Sequence, residues 1–325
     1  MHRDSGTRPL DKVDRQLCTM LLADPRSSNR ALAESIGMTD ETVASRLRML
    51  RDDGILATTV VVDWRKAGYG VQVVATVRMQ GRSFIEAVKP LFDDEQVFAM
   101  VEVSGPCDGV ITFFAPDARH AHRFVIESLR DLDGVVDVQV SLVVEDLKAA
   151  TTLTLPIPDW DPSELPKPFV PMDDVDHQLV RELTRDGHES YSELGRRLGV
   201  SDATIRRRVQ RLEESGLLKV VGAVDPVATG DVTSVAYAFV EIGGQLDQLK
   251  RRLSHLPIVL KASACLGSSD VVMLLGASED NLTRFASREL GSLPGVVSSR
   301  IAFANETLYH RSHLVSLQTG SPRKD

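Results

Sequence analysis

Long apolar runs are missing from this sequence of 325 residues, and none approaches the roughly 18 to 20 residues of a membrane-spanning helix. The first residues, MHRDSGTRPLDKVD, lack the apolar core of a secretory signal peptide, so we expect a cytoplasmic protein. The three cysteines, Cys18, Cys107 and Cys265, form no CxxC pair. This argues against a disulfide framework and a structural zinc site.

Motifs of catalysis and of cofactor binding are also missing. The sequence contains no P-loop, no dinucleotide fingerprint and no Ser-His-Asp order. His120 and His122 are two residues apart on a predicted helix and therefore do not share a face. His310 and His313 are three apart, but no acid or cysteine accompanies them in a metal-binding pattern. We therefore expect no enzyme activity, no cofactor and no metal site.

An excess of positive charge is missing, because 46 acidic residues outnumber 38 basic ones and the formal net charge is −8. Such a chain does not coat nucleic acid indiscriminately, although a local basic face remains compatible with it. One stretch departs from the balance. Residues 196–211 contain six arginines and a single acid, Asp202.

The sequence repeats itself at long range. Residues 10–56 and 172–218 align without a gap at an offset of 162, and the same offset pairs Gly105 with Gly267 and Asp108 with Asp270. A unit of this length is too long for a solenoid repeat, so it indicates a tandem duplication of a multi-domain protein. Six prolines between the copies predict a stiff, extended linker.

Each copy shows the periodicity of three helices followed by strands. In the third helix of the two copies, the predicted buried stripes are Val43, Leu47, Leu50 and Ile205, Val209, Leu212. Gly37 is a helix-stop signal, and a helix, a glycine-containing turn and a second helix form a helix-turn-helix. The next run, ILATTVVVD or LLKVVGAVD, suits a wing or a connecting strand. Strand and helix patterns then alternate in the ferredoxin-like order β-α-β-β-α-β.

The predicted fold class is therefore α+β, with a winged helix-turn-helix domain and a ferredoxin-like domain in each copy. The predicted boundaries are 8–63 and 68–150 for the first copy, 151–171 for the linker, 172–226 and 231–315 for the second copy, and 316–325 for a flexible tail.

The arginine cluster indicates a helix that enters the major groove of double-stranded DNA, where arginine pairs with guanine edges or phosphates. The alternative is a solvated helix face, since Glu213 and Glu214 follow directly. Residues 34–49 of the first copy carry two arginines against three acids, so we expect the second copy to make the stronger contact. The predicted DNA contacts are Ser201, Asp202, Thr204, Arg206, Arg207, Arg208 and Arg211, with Thr39, Thr42, Ser45 and Arg46 in the first copy.

These segments resemble the Lrp/AsnC (feast/famine) family of transcription regulators, twice over. The first helix of the family resembles LDKVDRQLCTML and MDDVDHQLVREL. Its helix-turn-helix, which reads the DNA, resembles LAESIGMTDETVASRLRMLRDDGIL and LGRRLGVSDATIRRRVQRLEESGLL. VSGPCDGVITFFAPD and LPGVVSSRIAF resemble its ligand-sensing domain. The resemblance implies a regulator with one unit per chain that dimerises. Here two units are fused, so we expect a pseudo-symmetric dimer within one chain, sheet against sheet, that associates further with other chains.

The resemblance also implies a small-molecule effector, possibly an amino acid, at a turn of the sensing domain. The matching residues are Ser104, Gly105, Pro106, Cys107 and Asp108, and Gly267, Ser268, Ser269 and Asp270. Glycine allows close backbone approach, free N–H groups hold a carboxylate, and aspartate takes an amine. The alternative is a plain hairpin turn stabilised by its aspartate.

Two other functions stay open. One is a ligand-sensing partner protein whose helix-turn-helix units are degenerate, which the weak charge of the first unit permits. The other is an enzyme, because sirohaem decarboxylases resemble Lrp-type proteins and hold a tetrapyrrole with histidine, arginine and aromatic residues. The corresponding stretches here, VFAMVEVSGPCDGVITFFA and IVLKASACLGSSDVVMLLGA, contain no His, Arg, Tyr or Trp.

Overall fold

The computed structural model describes residues 10–62, 69–92, 94, 96–148, 171–224 and 232–310. In the first half these are α1 (Lys12–Ala23), α2 (Asn29–Ile36), α3 (Asp40–Asp52), β1 (Leu56–Val62), β2 (Val71–Met79), α4 (Phe84–Ala87), β3 (Val97–Ser104), β4 (Gly109–Ala115), α5 (Ala118–Phe124) and β5 (Val135–Lys148). In the second half they are α6 (Asp174–Arg185), α7 (Tyr191–Leu198), α8 (Asp202–Glu214), β6 (Leu218–Val224), β7 (Ser234–Ile242), α9 (Leu246–Ser254), β8 (Val259–Gly267), β9 (Val271–Ala277), α10 (Glu279–Arg284) and β10 (Val296–His310). Residues 151–170 of the predicted linker and the predicted tail lie outside the described residues.

Local sequence signals account for the ends of the helices. The side chains that precede α1, α2, α3, α6, α7 and α8 each accept a hydrogen bond from the backbone N–H three residues later, which satisfies a free donor of the first turn. These caps are Asp11, Ser28, Thr39, Asp173, Ser190 and Ser201. Gly37 and Gly199 end α2 and α7 in the left-handed conformation, with φ of 71° and 68°. Pro90 shortens α4, which continues as a 3-10 turn.

The chain divides into two compact units, and each unit contains the corresponding parts of both halves. The first unit holds the two three-helix segments with β1 and β6. The second holds the two β-α-β-β-α-β segments. No helix among the described residues is long and apolar enough to cross a membrane.

In the first unit, the two strands that were expected to form wings or connections pair with each other. β1 and β6 run antiparallel, from the pair of Leu56 and Val224 to that of Val62 and Leu218. Gly222 packs so closely on α1 that a Cβ there would lie 2.2 Å from the carbonyl oxygen of Leu21. This ribbon joins the two helix-turn-helix segments.

In the second unit, the eight strands close into one barrel in the order β10-β3-β4-β2-β5-β8-β9-β7. β5 of the first half pairs with β8 of the second, and β10 of the second half pairs with β3 of the first. The expectation of two sheets lying against each other therefore needs a correction. The halves also hydrogen-bond along both strand edges, because each four-stranded sheet has two edges that seek partners.

Three hydrophobic clusters fill this unit. One packs the helices of the first half on its strands, around Phe84 and Phe113, and a second does the same around Phe285 in the second half. The third cluster combines residues of both halves, including Val74, and lies on the opposite face of the strands, because side chains alternate along a strand. This third cluster forms the interior of the barrel.

Candidate DNA-binding and effector sites

The second helices of the two helix-turn-helix segments, α3 and α8, are the candidate recognition helices and are called the reading helices below. They present a polar face because their apolar residues are buried. Ile205, Val209 and Leu212 are at most 1% exposed, and so are Val43, Leu47 and Leu50, as the periodicity predicted. On α8 this orientation leaves Arg206, Arg207 and Gln210 exposed. The matched positions on α3 are Ala44, Ser45 and Arg48.

Five of the predicted DNA contacts also organise the helix starts. Ser201 Oγ accepts from the backbone N–H of Thr204 at 3.2 Å and pairs with the Thr204 hydroxyl at 2.9 Å. Thr39 and Thr42 repeat this arrangement on α3. The carboxylate of Asp202 accepts from the backbone N–H of Ala203 at 2.7 Å. These side chains therefore stabilise the first turn of each reading helix.

Arg208 connects the reading helix to the first helix of its own domain. Its Nη1 lies 2.8 Å from a carboxylate oxygen of Asp173 and 2.8 Å from one of Asp176. The bond from Arg208 is the main cause that lowers the pKa of Asp173. Arg211 also donates to Asp176, and to the carbonyl of Pro171 at 3.1 Å.

Arg46 makes the same connection in the first copy, with Nη1 2.7 Å from Asp11 and 2.8 Å from Asp14. The buried partners Asp14 and Asp176 are 0% and 2% exposed. The sequence suggested Arg46, Arg208 and Arg211 as DNA contacts. Their guanidinium groups are engaged in these ion pairs, which gives the three arginines a structural role, and their contact with DNA stays a prediction.

The two reading helices differ in the charged residues that they expose. Within the described part of the chain, no hydrogen bond or ion pair engages the guanidinium groups of Arg206 and Arg207. The first turn of α3 contains Asp40 and Glu41, whereas that of α8 contains Asp202 alone. On α8 the exposed Arg206 and Arg207 follow a first turn with one acid, whereas on α3 the exposed Arg48 and Arg51 follow a first turn with two.

The two predicted effector turns are built alike. Asp108 accepts from the backbone N–H of Met79 at 2.7 Å, and Asp270 accepts from that of Ile242 at 2.8 Å. Each aspartate therefore ties its turn to a neighbouring strand, which is the loop-stabilising role left open as an alternative. Ser104, in the first turn, exchanges hydrogen bonds with Asn305.

Both turns need glycine because they press against a strand of the other half. Gly105 and Gly267 have φ of 140° and 139°. A Cβ on Gly105 would lie 2.6 Å from the carbonyl oxygen of Ile301, and one on Gly267 would lie 2.3 Å from that of Val140. Side chains at either position would force the halves apart.

The structure brings residues of both turns to one recess at the mouth of the barrel. Pro106 and Cys107 come from the first turn and Ser268 from the second. The other lining residues, which the sequence did not single out, are Thr76, Arg78, Asp137, Gln139, Phe239 and Arg300. The enclosed part, about 20 Å³, has room for one small polar group.

Arg300 is the central polar group of this recess. Its guanidinium donates to the Gln139 side chain at 3.3 Å, to the Ser268 carbonyl at 3.1 Å and to the Ser269 hydroxyl at 3.5 Å. Arg78 and Asp137 are opposite each other on β2 and β5. Burial, followed by the charge of Asp108, raises the pKa of the Cys107 thiol to about 11, so this thiol stays protonated at neutral pH.

Comparison with known families identifies both kinds of domain. Residues 172–213 match the AsnC-type helix-turn-helix domain, residues 10–57 match the winged helix-turn-helix DNA-binding domain, and residues 72–153 match the Lrp/AsnC ligand binding domain. These matches come from both halves of the chain.

Individual relatives agree with these matches. The HTH-type transcriptional regulator AldR of Mycolicibacterium smegmatis is 30% identical over 158 residues, which cover 46% of this chain and 91% of AldR. The DNA-binding transcriptional activator DecR of Escherichia coli K12 is 29% identical over 150 residues, covering 45% of this chain and 99% of DecR.

Two solved structures of one protein match over nearly the full length. The crystal structure of the siroheme decarboxylase NirDL superimposes with a TM-score of 0.67, covering 92% of this chain and 93% of that one. The sequence identity is 14%, so the similarity concerns the fold.

Proposed function

We propose that this chain, which belongs to the Lrp/AsnC family of transcription regulators, works as two fused regulator units that contact DNA mainly through α8. DNA binding and regulation of transcription are properties of the family. The contribution of each half, the fused arrangement and the effector site are our proposals.

The main support for the proposed DNA contact is the exposure of Arg206 and Arg207 on α8. Both lie outside the buried stripe, near the N-terminal part of a reading helix, which is the part that meets base edges in helix-turn-helix proteins. The matched residues Ala44 and Ser45 of α3 lack charge. We therefore infer a DNA site with two unequal halves, of which α8 occupies the stronger.

The test is a titration of the chain with duplex DNA from upstream of its own gene and a shuffled duplex as reference, at several salt concentrations. We expect preference for the native duplex and a steep loss of affinity with salt. Arg206→Ala with Arg207→Ala should weaken binding at least tenfold. Arg251→Ala with Arg252→Ala, which removes two exposed arginines from α9, serves as the matched control.

Equal affinity of the α8 variant and the wild-type chain would contradict the assignment of α8. Absence of DNA binding by the wild-type chain at low salt would favour the other interpretation of the sequence, a ligand-sensing partner protein with degenerate helix-turn-helix units.

The fused arrangement is supported by two features. β1 pairs with β6, and each half of the barrel completes the sheet edges of the other. The fold similarity to NirDL extends over nearly the whole length of both chains, whereas AldR and DecR each match about half of this chain. We infer that one chain corresponds to a dimer of single-unit regulators.

For the effector, we propose a small molecule with a carboxylate, such as an α-amino acid, at the barrel mouth. Arg300 and Arg78 suit the carboxylate, and Asp137 suits an ammonium group. Because the enclosed space is small, the carboxylate enters and the rest of the ligand stays at the rim. The recess contains equivalent strand pairs of both copies, Thr76 with Gln139 and Phe239 with Arg300, so it lies between the copies and we infer one such site per chain.

Calorimetric titration with each proteinogenic amino acid tests this proposal. We expect at least one to bind at one site per chain and to change DNA affinity, and Arg300→Gln to abolish that binding. Arg288→Gln, at an exposed arginine of the same unit, is the control. Two sites per chain, or unchanged binding by Arg300→Gln, would contradict the barrel-mouth site.

The fold similarity to NirDL makes decarboxylase activity the second candidate. We propose a regulator instead, because the interior cluster of the barrel consists mainly of aliphatic side chains with Phe239 and Tyr237. An unchanged absorbance spectrum of added sirohaem would agree with this proposal. A shifted spectrum at one equivalent per chain would support the enzyme.

A further inference from the structure

A turn of the first helix-turn-helix domain reaches the second. Arg26 lies between α1 and α2, and its guanidinium carbon is 5.0 Å from the centroid of the Tyr191 ring. Its Nη1 also donates to the Tyr191 hydroxyl. Tyr191 is the first residue of α7, so a side chain of one domain is fixed on the helix that precedes α8 in the other.

The same ring carries a second cation. The guanidinium carbon of Arg206 on α8 is 5.1 Å from the Tyr191 centroid. An aromatic ring attracts each guanidinium, but the two positive charges repel each other. Burial lowers the pKa of Arg26, Glu213 opposes this effect, and Arg206 adds to it. An anion that contacts both guanidinium groups would offset their repulsion.

This arrangement occurs beside only one of the two reading helices. At the offset of 162, Arg26 corresponds to His188, and Tyr191 corresponds to Asn29. Arg206 corresponds to Ala44. The equivalent place beside α3 therefore has neither the two guanidinium groups nor the aromatic ring.

We propose that Arg26 and Arg206 together hold one phosphate of the DNA backbone, with Tyr191 as the platform that positions both guanidinium groups. In helix-turn-helix proteins the helix before the reading helix crosses the DNA backbone, and Tyr191 begins that helix here. Guanidinium groups bind phosphate oxygens in a directional, charge-assisted manner. The first domain thus supplies a contact to the half-site of the second. This inference rests on the proposed role of α8.

The salt dependence of DNA affinity measures the number of phosphates contacted. For the full-length chain on the native duplex, Arg26→Ala should reduce the magnitude of the slope of log K against log salt by about 0.9, the value of one phosphate. We expect affinity to fall roughly tenfold at 0.1 M salt, on native and shuffled duplex alike, because a phosphate contact carries no sequence information. Arg26→Lys should retain most of the slope.

Two controls separate this contact from general effects. Arg123→Ala removes one exposed positive charge from α5 in the other unit and should leave the slope unchanged. Thermal unfolding of Arg26→Ala shows whether the packing of the domains survives. Arg26→Ala with Arg206→Ala should cost less than the sum of the two single effects, since both arginines share one phosphate.

The outcomes are distinguishable. If the wild-type chain binds DNA and Arg26→Ala retains the wild-type slope, the phosphate contact is overturned while the role of α8 stands. Additive effects of the two substitutions would also overturn the shared phosphate. A wild-type chain that does not bind duplex DNA would overturn the proposed function itself.

Discussion

Arg208 lies 2.8 Å from Asp176, and the carboxylate of Asp176 is almost fully buried between the first helix of its domain and the reading helix. Arg46 and Asp14 repeat the pair in the other copy, also at 2.8 Å. A buried carboxylate requires a partner, since desolvating an unpaired charge is costly. These pairs set the position of the reading helix in each domain.

Arg208→Ala should therefore lower the stability of the fold rather than act only on DNA. We expect a loss of about 3 kcal/mol in the free energy of unfolding, because Asp176 would lose one of its two arginine partners. Urea denaturation measures this loss. Arg207→Ala, at the adjacent exposed position, should change stability by no more than about 0.5 kcal/mol. Equal stability of the two variants would contradict the structural role of Arg208.

The same ion pairs predict an acid dependence of stability. The bond from Arg208 and the backbone N–H of Asp176 lower the pKa of Asp173 from its ordinary value of 3.8. A carboxyl with a lowered pKa in the folded state contributes stability above its unfolded pKa and loses it as the pH falls through the folded pKa. Below about pH 4 the midpoint of thermal unfolding should thus fall for the wild-type chain. The deficit of Asp173→Asn relative to wild type should shrink over the same range, and a constant deficit would argue against this ion pair.

Close approach of the two halves predicts a strong effect at Gly267. Gly267→Ala places a Cβ within 2.3 Å of the Val140 carbonyl oxygen, and its φ of 139° is unfavourable for alanine. We expect a loss of more than about 2 kcal/mol in the free energy of unfolding. Gly81 is the control, since it also has a positive φ but nothing within 4 Å of its Cβ position, and Gly81→Ala should cost about 1 kcal/mol. Calorimetry of both variants compares them, and equal losses would rule out the steric explanation.

Association between chains should depend on one junction of the barrel. Leu266 and Val144 are 73% and 59% exposed on the paired strands β8 and β5, whereas the matched positions carry Ser104 and Asn305. An exposed apolar pair favours contact with another protein surface. We expect Leu266→Ser to shift the chain towards its single-chain species in sedimentation velocity runs, and Ser104→Ala to have no such effect. A wild-type chain that sediments as a single chain at all concentrations would contradict self-association.

Much of the local structure was predictable. The buried stripes of α3 and α8, the glycine ends of α2 and α7 and the order of strands follow from short-range periodicity and from caps. Closure of the barrel was not predictable, because the pairing of β5 with β8 depends on which strand edges meet after both halves have formed. Pro90 could have indicated that α4 is short.

The site was predictable only in part. The sequence led us to predict a DNA contact for Arg208 because its helix is basic, but not its ion pair with Asp176, which lies 32 residues earlier. The repetition of Asp14 and Arg46 at the same spacing was the signal that could have identified the ion pair. Arg26 and Arg300 offered no such signal, because they make contacts between the halves that sequence periodicity does not show.

Because each half completes the barrel of the other, the fused chain differs from a separate half in the proteins with which it can pair. A separate half would expose the edges of β3 and β5 to any related regulator present in the same cell. Within one chain those edges meet their partners at high effective concentration, before another protein can compete for them. Fusion therefore disfavours mixed barrels between one half and a related regulator. Each half can also change its sequence without having to remain compatible with a copy of itself.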